Sequence, residues 1–516
     1  MTDSEQHLSA QDYLRKILVA PVYDVAKNTD LNYLGSLSHR LQHDVWLKRE
    51  DQQPVKSFKL RGAYNKIANL SDDAKNRGVI TASAGNHAQG VALSANKMQV
   101  KATIVMPETT PDIKVDAVRN FGGDWVDIIL IGRSFDVASN HAQELAIDHG
   151  YTYVPPFDDE DVIAGQGTIA KELFDAKRDL DMVFVAVGGG GLAAGIAVYL
   201  KQLKPNIKII AVESDESACL KKALECGERT PLDQVGIFAD GVAVKIIGEE
   251  TFRLCQQYVD EVITVNSDEI CAAIKDTFDD TRAIAEPAGA LSVAGIKKWL
   301  SQNKPEKKLQ IGGILCGANI NFHTLRYVSE RAELGEKKEA IIAATIPEKK
   351  GAFRHFCETL AGRTISEFNY RYAPADNAHV YVGLKLRQAD QELPEVLAEL
   401  KKHHIEGFDL SDNEAAKMHV RHMVGGRVQN LENERIFSFV FPEYPGALMS
   451  FLNTLGTQWN ITLFHYRNHS AASGMVLAGF DVPENELEDL HQHLDQIGYQ
   501  YTDETANPAY HFFLKS

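Results

Sequence analysis

The sequence predicts an α/β domain built from mostly parallel sheets flanked by helices, followed by two smaller ferredoxin-like α+β subdomains. Three observations predict it. Short β-branched runs alternate with Ala-rich helical stretches from about Val45 to Asn321, glycine-rich turns separate several of these pairs, and the last third of the chain repeats itself. Such alternation sandwiches a parallel sheet between helices on both faces.

The strands are expected at Val79–Thr81, Ala102–Val105, Met182–Val187, Ile207–Val212 and Ile311–Leu315, the helices at segments such as His87–Asn96, Phe135–His149 and Gly165–Phe174. Strands covered on both faces are apolar throughout, as Val183–Val187 and Ile209–Val212 are. The stretch Met182–Leu200 carries no charge and is long enough to register as a membrane span. Its middle, Gly188-Gly189-Gly190-Gly191, suits a helix interior poorly. Strand, loop and buried helix are expected there, and no membrane association.

Past the charged stretch Arg331–Lys338, expected as a linker, a duplication begins. Glu339-Ala-Ile-Ile-Ala-Ala-Thr-Ile-Pro347 lines up with Glu434-Arg-Ile-Phe-Ser-Phe-Val-Phe-Pro442, and Phe368-Asn-Tyr370-Arg371 with Phe464-His-Tyr466-Arg467. Each copy has the order strand, Pro-Glu-x-x-Gly turn, helix, strand, strand, helix, which is that of a βαββαβ unit. Such a unit leaves sheet surface open unless it pairs, so the copies are expected to pack together. The domains are expected at residues 1–330, 331–424 and 425–516.

The chain has 516 residues, with 54 Lys+Arg against 71 Asp+Glu, a formal charge of −17. Nucleic-acid binding needs a basic face, so this balance argues against it. No basic segment followed by an apolar one marks a signal peptide near Met1. The six cysteines form no C-x-x-C pair and no zinc-like cluster, which predicts reduced thiols, a cytoplasmic location and no metal site.

Four segments carry chemistry. In Ser57-Phe58-Lys59-Leu60-Arg61-Gly62-Ala63, Lys59 is either a solvated lysine behind a Ser57 N-cap or a Schiff-base lysine, whose amine must be neutral to attack a carbonyl. In Thr81-Ala82-Ser83-Ala84-Gly85-Asn86-His87-Ala88-Gln89-Gly90, a strand gives way to a helix whose first N–H groups can hold a carboxylate. Gly188-Gly189-Gly190-Gly191-Leu192 lets the main chain close on a phosphate. Read alone, Gly188-x-Gly190-x-x-Ala193 with Glu213 after the next strand also satisfies a loose dinucleotide fingerprint, so a NAD-dependent oxidoreductase competes at this point. Last, Gly312-Gly313-Ile314-Leu315-Cys316-Gly317-Ala318-Asn319 places a thiol, Cys316, at a strand end.

Together the four segments, in this order and followed by the duplication, resemble the fold-type-II pyridoxal-phosphate enzymes and, within them, the threonine dehydratases (threonine ammonia-lyases). The resemblance spans nearly the whole chain. It implies that Lys59 carries pyridoxal 5'-phosphate, that Asn86 hydrogen-bonds the ring hydroxyl, that Gly188, Gly189, Gly190, Gly191 and Leu192 hold the phosphate, and that Cys316 faces the pyridine nitrogen. Gly241 looks like the family's small residue beside the ring. Glu286 matches an acid near the site with no assigned task. The turn Ser83, Ala84, Gly85, Asn86, His87 is expected to grip the substrate carboxylate.

The implied reaction is β-elimination of L-threonine, with L-serine as a second candidate substrate, to 2-oxobutanoate and ammonia, the first step of isoleucine biosynthesis. Many members carry serine where Cys316 stands; both side chains are neutral partners. Related serine racemases carry a serine at the position of Ala84 as an acid/base, and an alanine moves no proton. The doubled C-terminal region resembles paired ACT-like amino-acid-sensing domains, with isoleucine inhibiting and valine opposing; Glu348, Gly351, Glu443 and Gly446 are the candidate effector contacts. A homotetramer is the family habit. A non-catalytic amino-acid sensor is the remaining alternative, against which Lys59, Asn86 and the glycine turn stand.

Overall fold

The structure, a computed structural model, describes residues 7–516 except 237, 323, 361, 373–375, 414–415, 418–430, 432, 443–446, 457, 469–472, 508–509, 511–513 and 515–516. Contacts divide the chain into two units, Met1–Ala332 and Glu333–Ser516.

Among its described residues the first unit contains ten strands: β1 (Leu31–Tyr33), β2 (Asp44–Arg49), β3 (Val79–Ala82), β4 (Ala102–Met106), β5 (Val126–Leu130), β6 (Thr152–Tyr153), β7 (Met182–Ala186), β8 (Lys208–Ser214), β9 (Glu261–Val265) and β10 (Gln310–Leu315). They form a six-stranded sheet in the order β1-β2-β10-β7-β8-β9 and a four-stranded sheet in the order β5-β4-β3-β6. Every pairing is parallel except β1 with β2. Val183, Phe184, Ile209, Ile210, Ile311 and Ile314 are fully buried between helices, which is why these strands are apolar on both faces.

Met182–Leu200 resolves into β7, the glycine turn and the helix Gly191–Leu203. Among the described residues no helix is long and apolar enough to cross a membrane. The helix Lys59–Ala68 lies against the helix Glu160–Ala176 where Gly165 meets Gly62: a methyl group at Gly165 would sit 2.7 Å from the Gly62 Cα. Two glycines at the crossing bring the start of the Lys59 helix deep into the unit.

One expectation is corrected here. Arg331–Lys338 is no simple linker, because the helix Thr324–Gly335 runs through most of it and across the division between the units. Arg331 is 2% exposed and ion-paired with Asp268 at 3.0 Å, so its charge is neutralised inside the first unit.

Among its described residues the second unit has eight strands: β11 (Glu339–Pro347), β12 (Ile365–Arg371), β13 (Asn377–Lys385), β14 (Glu406–Asp409), β15 (Glu434–Pro442), β16 (Asn460–Asn468), β17 (Ser473–Asp481) and β18 (Gln500–Asp503). One antiparallel sheet takes them in the order β14-β11-β13-β12-β16-β17-β15-β18. This is two ferredoxin-like units joined edge to edge at β12 and β16, so pairing occupies an edge that each copy alone would expose. Phe353, Phe368, Phe439, Phe451 and Phe464 fill the core of this unit, and the Phe353 and Phe464 rings, one from each copy, lie 5.3 Å apart.

Candidate active site

Three of the predicted segments begin where parallel strands end. Ser83–His87 follows β3, Gly188–Gly191 follows β7 and Cys316 follows β10. The carboxyl ends of parallel strands are where open α/β sheets bind ligands. Lys59 comes from outside this pattern and is stitched to it. The Phe58 N–H donates to the Cys316 carbonyl at 3.2 Å, the Ala318 N–H donates to the Lys56 carbonyl at 2.9 Å, and Ser57 forms a bridge with Gly317. Phe58, rather than Ser57, occupies the cap position of the Lys59 helix, while the Ser57 hydroxyl accepts from the Lys59 N–H at 3.4 Å.

The Lys59 Nζ donates to the Pro156 carbonyl at 2.8 Å. Loss of solvent around the amine lowers its pKa to about 8, against the opposing pull of Cys316 and Glu286. About one amine in ten is then neutral at pH 7, where an ordinary lysine has fewer than roughly one in a thousand. That is the condition a carbonyl-trapping lysine needs.

Gly190 has φ of +91°, a left-handed conformation that glycine adopts without strain. Its neighbours are confined as well. A methyl group at Gly188 would come within 2.8 Å of the Val242 Cα, one at Gly191 within 3.0 Å of the Phe157 carbonyl, and one at Gly189 would enter the Phe157 ring. The Gly188 carbonyl accepts from the Cys219 thiol at 3.2 Å and the Gly189 carbonyl from the Thr251 hydroxyl at 2.7 Å. The helix Gly191–Leu203 opens with no side-chain cap, as a phosphate seat requires, and Leu192 is buried behind it. Pro156 and Phe157 therefore place the lysine and the glycine turn on one dipeptide. Sequence reasoning missed this pair, for neither residue belongs to a glycine-rich or charged motif.

The helix Asn86–Met98 also starts without a side-chain cap, at the end of the Ser83–His87 turn. The Gly85 N–H donates to the Ser83 hydroxyl at 3.3 Å. Ala84 adds no polar atom. His87 is 3% exposed; its Nε2 lies 2.9 Å from the Val154 carbonyl, and burial drops its pKa to about 3, so the ring is neutral. A neutral ring facing a carbonyl donates its Nε2–H, and Nδ1 has no partner among the described residues.

Asn86 meets Glu286 and Asn319. Its Nδ2 donates to Glu286 Oε1 at 2.7 Å, and its Oδ1 accepts from Asn319 Nδ2 at 2.7 Å. Burial, with Asp240 adding to it, raises the Glu286 pKa to about 7. Gly241 sits beside this acid: a methyl group there would be 2.9 Å from the Ala288 Cβ and 3.7 Å from Glu286 Oε1. The Cys316 Sγ lies 3.3 Å from the Ala288 carbonyl, and burial pushes its thiol far up, so it contributes no charge.

Glu213 is not free to hold a ribose. It is fully buried, and its two oxygens accept from the Leu220 N–H at 2.8 Å and the Lys221 N–H at 2.9 Å, which caps the helix Cys219–Cys226. The acidic run after Phe157 is likewise spent on helix starts: Asp159 caps the helix Glu160–Ala176, and Asp158 accepts from the Glu249, Glu250 and Thr251 N–H groups. Among the described residues no group of His, Cys, Asp and Glu is arranged to hold a metal ion.

Behind Lys59, Arg61 is wholly buried between Glu50 and Glu172. Its Nε donates to Glu50 at 2.8 Å and its Nη1 to Glu172 at 2.6 Å, while Lys48 pairs with Glu172 at 2.6 Å. Two cations and two anions neutralise one another under the Lys59 helix. In the second unit, Glu348 accepts from the Tyr370 hydroxyl at 2.8 Å, and Gly351, with φ of +85°, precedes the helix Ala352–Thr359. Glu443 and Gly446 lie outside the described residues.

The site fits pyridoxal phosphate on its own geometry. A desolvated amine, a glycine turn that admits no Cβ and a neutral thiol stand together, and the uncapped helix after the turn supplies N–H groups. The comparisons agree. Residues 22–317 match the family model described as pyridoxal-phosphate dependent enzyme, and residues 330–420 and 425–514 each match the C-terminal regulatory domain of threonine dehydratase. The chain is 56% identical over 517 residues to the biosynthetic L-threonine dehydratase IlvA of Escherichia coli, covering 100% of both. It is 49% identical to the mitochondrial threonine dehydratase of Saccharomyces cerevisiae, covering 99% of this chain and 91% of that one. The structure of the processed form of threonine deaminase isoform 2 from Solanum lycopersicum superposes with a TM-score of 0.61 at 49% identity, over 64% of this chain and 94% of that one. The chain belongs to the pyridoxal-phosphate dependent enzymes and, within them, to the biosynthetic threonine dehydratases, with a doubled regulatory domain after the catalytic one.

Proposed function

We propose that this chain converts L-threonine to 2-oxobutanoate and ammonia, losing the β-hydroxyl as water and regaining water when the nitrogen leaves. The observation that carries the reading is the meeting of Lys59 and the glycine turn on Pro156–Phe157. Pyridoxal phosphate, when bound, supplies the electron sink for bond breaking at the substrate Cα. Lys59 holds the cofactor and, once its amine is free, takes the Cα proton; a pKa near 8 suits an amine that must both accept and release protons near neutrality. The Ser83–His87 turn holds the substrate carboxylate with helix-start N–H groups. The glycine turn and Leu192 hold the phosphate. Cys316, kept neutral by burial, would offer the ring of bound pyridoxal phosphate no fixed charge, which suits a cofactor that would supply elimination chemistry.

Residues 1–330 are assigned to catalysis, and 331–424 and 425–516 to the two regulatory subdomains. Isoleucine inhibits and valine opposes it at the second unit, with Glu348 and Gly351, and the matching Glu443 and Gly446, as contacts. The enzyme is a cytoplasmic homotetramer, with L-serine as a second candidate substrate. Product analysis with L-threonine, with and without isoleucine, tests the whole reading: 2-oxobutanoate is expected, suppressed by isoleucine and absent with Lys59→Ala. Full ammonia production by Lys59→Ala overturns it. Isoleucine sensitivity retained after removal of the residues beyond about Lys338 overturns the regulatory assignment.

A further inference from the structure

Glu286 immediately precedes the helix Pro287–Asn303 and its side chain makes no cap there. It is 6% exposed, and both its oxygens turn away to other elements: Oε1 accepts from Asn86 Nδ2 at 2.7 Å and Oε2 from the Asn319 N–H at 3.0 Å. Asn319 then completes a ring. Its Nδ2 donates to Asn86 Oδ1 at 2.7 Å and to the Val55 carbonyl at 2.8 Å, which anchors it to the strand of chain leading to Lys59. The Asn86 carboxamide is thus held at its nitrogen by an acceptor and at its oxygen by a donor. Rotating it by half a turn would set nitrogen against nitrogen and oxygen against oxygen, so one orientation is fixed. The glycine of Cys316-Gly317-Ala318-Asn319 belongs to the same arrangement, since a methyl group at Gly317 would enter the Glu286 carboxylate and stand 3.2 Å from Asn86 Nδ2.

We propose that Glu286 is a positioning residue that fixes Asn86 as a hydrogen-bond donor toward the ring oxygen of the cofactor. This rests on the reading that Asn86 lies beside the ring hydroxyl. The second Nδ2 hydrogen of Asn86 is the one left for that oxygen, and a donor there favours the ionised oxygen over the hydroxyl. With the amide reversed, Oδ1 would face the ring and favour the hydroxyl. Two N–H donors on one buried carboxylate also account for an acid, rather than an amide, at 286: glutamine satisfies only one of them.

The test compares full-length Glu286→Gln and Asn86→Ala with the unaltered chain, each stripped of cofactor and titrated with pyridoxal phosphate. Cofactor affinity and the absorption spectrum of the bound cofactor are read at one fixed pH. Glu286→Gln is expected to weaken cofactor binding by about tenfold, the scale of one lost charge-assisted hydrogen bond. It is also expected to move absorbance from the visible band to a shorter-wavelength one, as the ring oxygen gains a proton. A merely structural role for Glu286 would not change that band ratio per bound cofactor. An unchanged affinity and ratio in Glu286→Gln, with Asn86→Ala altering both, overturns the proposal alone. If Asn86→Ala is silent too, the placing of Asn86 beside the ring oxygen is wrong and the proposal falls with it. Should Glu286→Gln not fold, Asn319→Ser, which releases the other end of the same carboxamide, carries the same expected and contrary results.

Discussion

Asn369 and His465 face each other across the junction of β12 and β16, and each occupies in its own repeat the position the other holds in the second. A residue paired with its own equivalent marks a local two-fold axis. Around it Phe368 pairs with Tyr466 and Tyr370 with Phe464, so the aligned Phe-x-Tyr motifs cross. The symmetry extends outward. Register shifts fall between Ile365 and Glu367 in one copy and between the matching Ile461 and Leu463 in the other. The duplication is therefore a structural dimer within one chain.

An ion pair spans this junction. Arg371, on β12 of the first copy, donates to both oxygens of Glu434, on β15 of the second, at 2.5 and 3.1 Å, and both residues are buried. Removing one partner of a buried pair costs about 3–5 kcal/mol, since the other charge stays behind without compensation. Arg371→Ala should destabilise the second unit by that amount, seen as faster amide hydrogen exchange in β12 and β16 of the full chain. Unchanged protection there would count against the pair as a fastening of the two copies.

The same physics applies beneath Lys59. Arg61→Met leaves the buried carboxylates Glu50 and Glu172 with the single charge of Lys48 to offset them, again a loss of about 3–5 kcal/mol. Chemical denaturation of the full chain should show it in the first unit. A loss under about 1 kcal/mol, the scale of an exposed pair, would mean that the network relaxes into water.

Much of this was legible from the sequence because turns pressed closely against their neighbours need residues with little or no side chain. Gly188–Gly191 and Ser83–Gly85 announce themselves by composition, and the duplication by its aligned Pro-Glu-x-x-Gly turns. What escaped depends on contacts between distant segments. Phe157 and Gly189, or Asn319 and Glu286, meet only after the sheet has formed. Glu213 stood where a ribose-binding acid would, and its capping of the next helix shows only in three dimensions. Arg331 looked like part of a solvated linker because its partner Asp268 lies on another helix.

The lowered pKa of Lys59 predicts how the cofactor-free protein captures aldehydes. The neutral amine is the nucleophile, so the rate follows the deprotonated fraction and rises as pH climbs through about 8. Between pH 7 and pH 9 that fraction grows about tenfold and then levels off. Stopped-flow absorbance on mixing with pyridoxal phosphate reads it. A rate still climbing steeply above pH 9 would place the lysine near its ordinary pKa.

Glu213 predicts a dependence of stability on pH. Burial raises its pKa to about 7 despite two backbone N–H donors, whereas the unfolded chain holds it near 4.5. The neutral acid is therefore the form favoured by folding. Its contribution is whole below about pH 4.5 and is lost as pH rises through 7. Glu213→Gln stays neutral throughout, so its stability relative to the parent should improve by about 2.5 kcal/mol between pH 5 and pH 8. Denaturant midpoints at the two pH values give the comparison, and a constant gap would show that Glu213 is ionised when folded at both.

Ala84 limits the chemistry. Inverting an amino acid requires a proton delivered to the Cα face opposite the base, and a serine at position 84 would offer a hydroxyl for that step. The methyl group of Ala84 exchanges no proton. Given L-serine, the enzyme should form ammonia and pyruvate with negligible D-serine, because an intermediate that cannot be reprotonated from the far side is drained by loss of the β-hydroxyl. Chiral chromatography of the reaction over time measures both products together. D-serine appearing at a rate near that of pyruvate would mean that another group, water included, reaches that face, and that the alanine does not set the reaction's outcome.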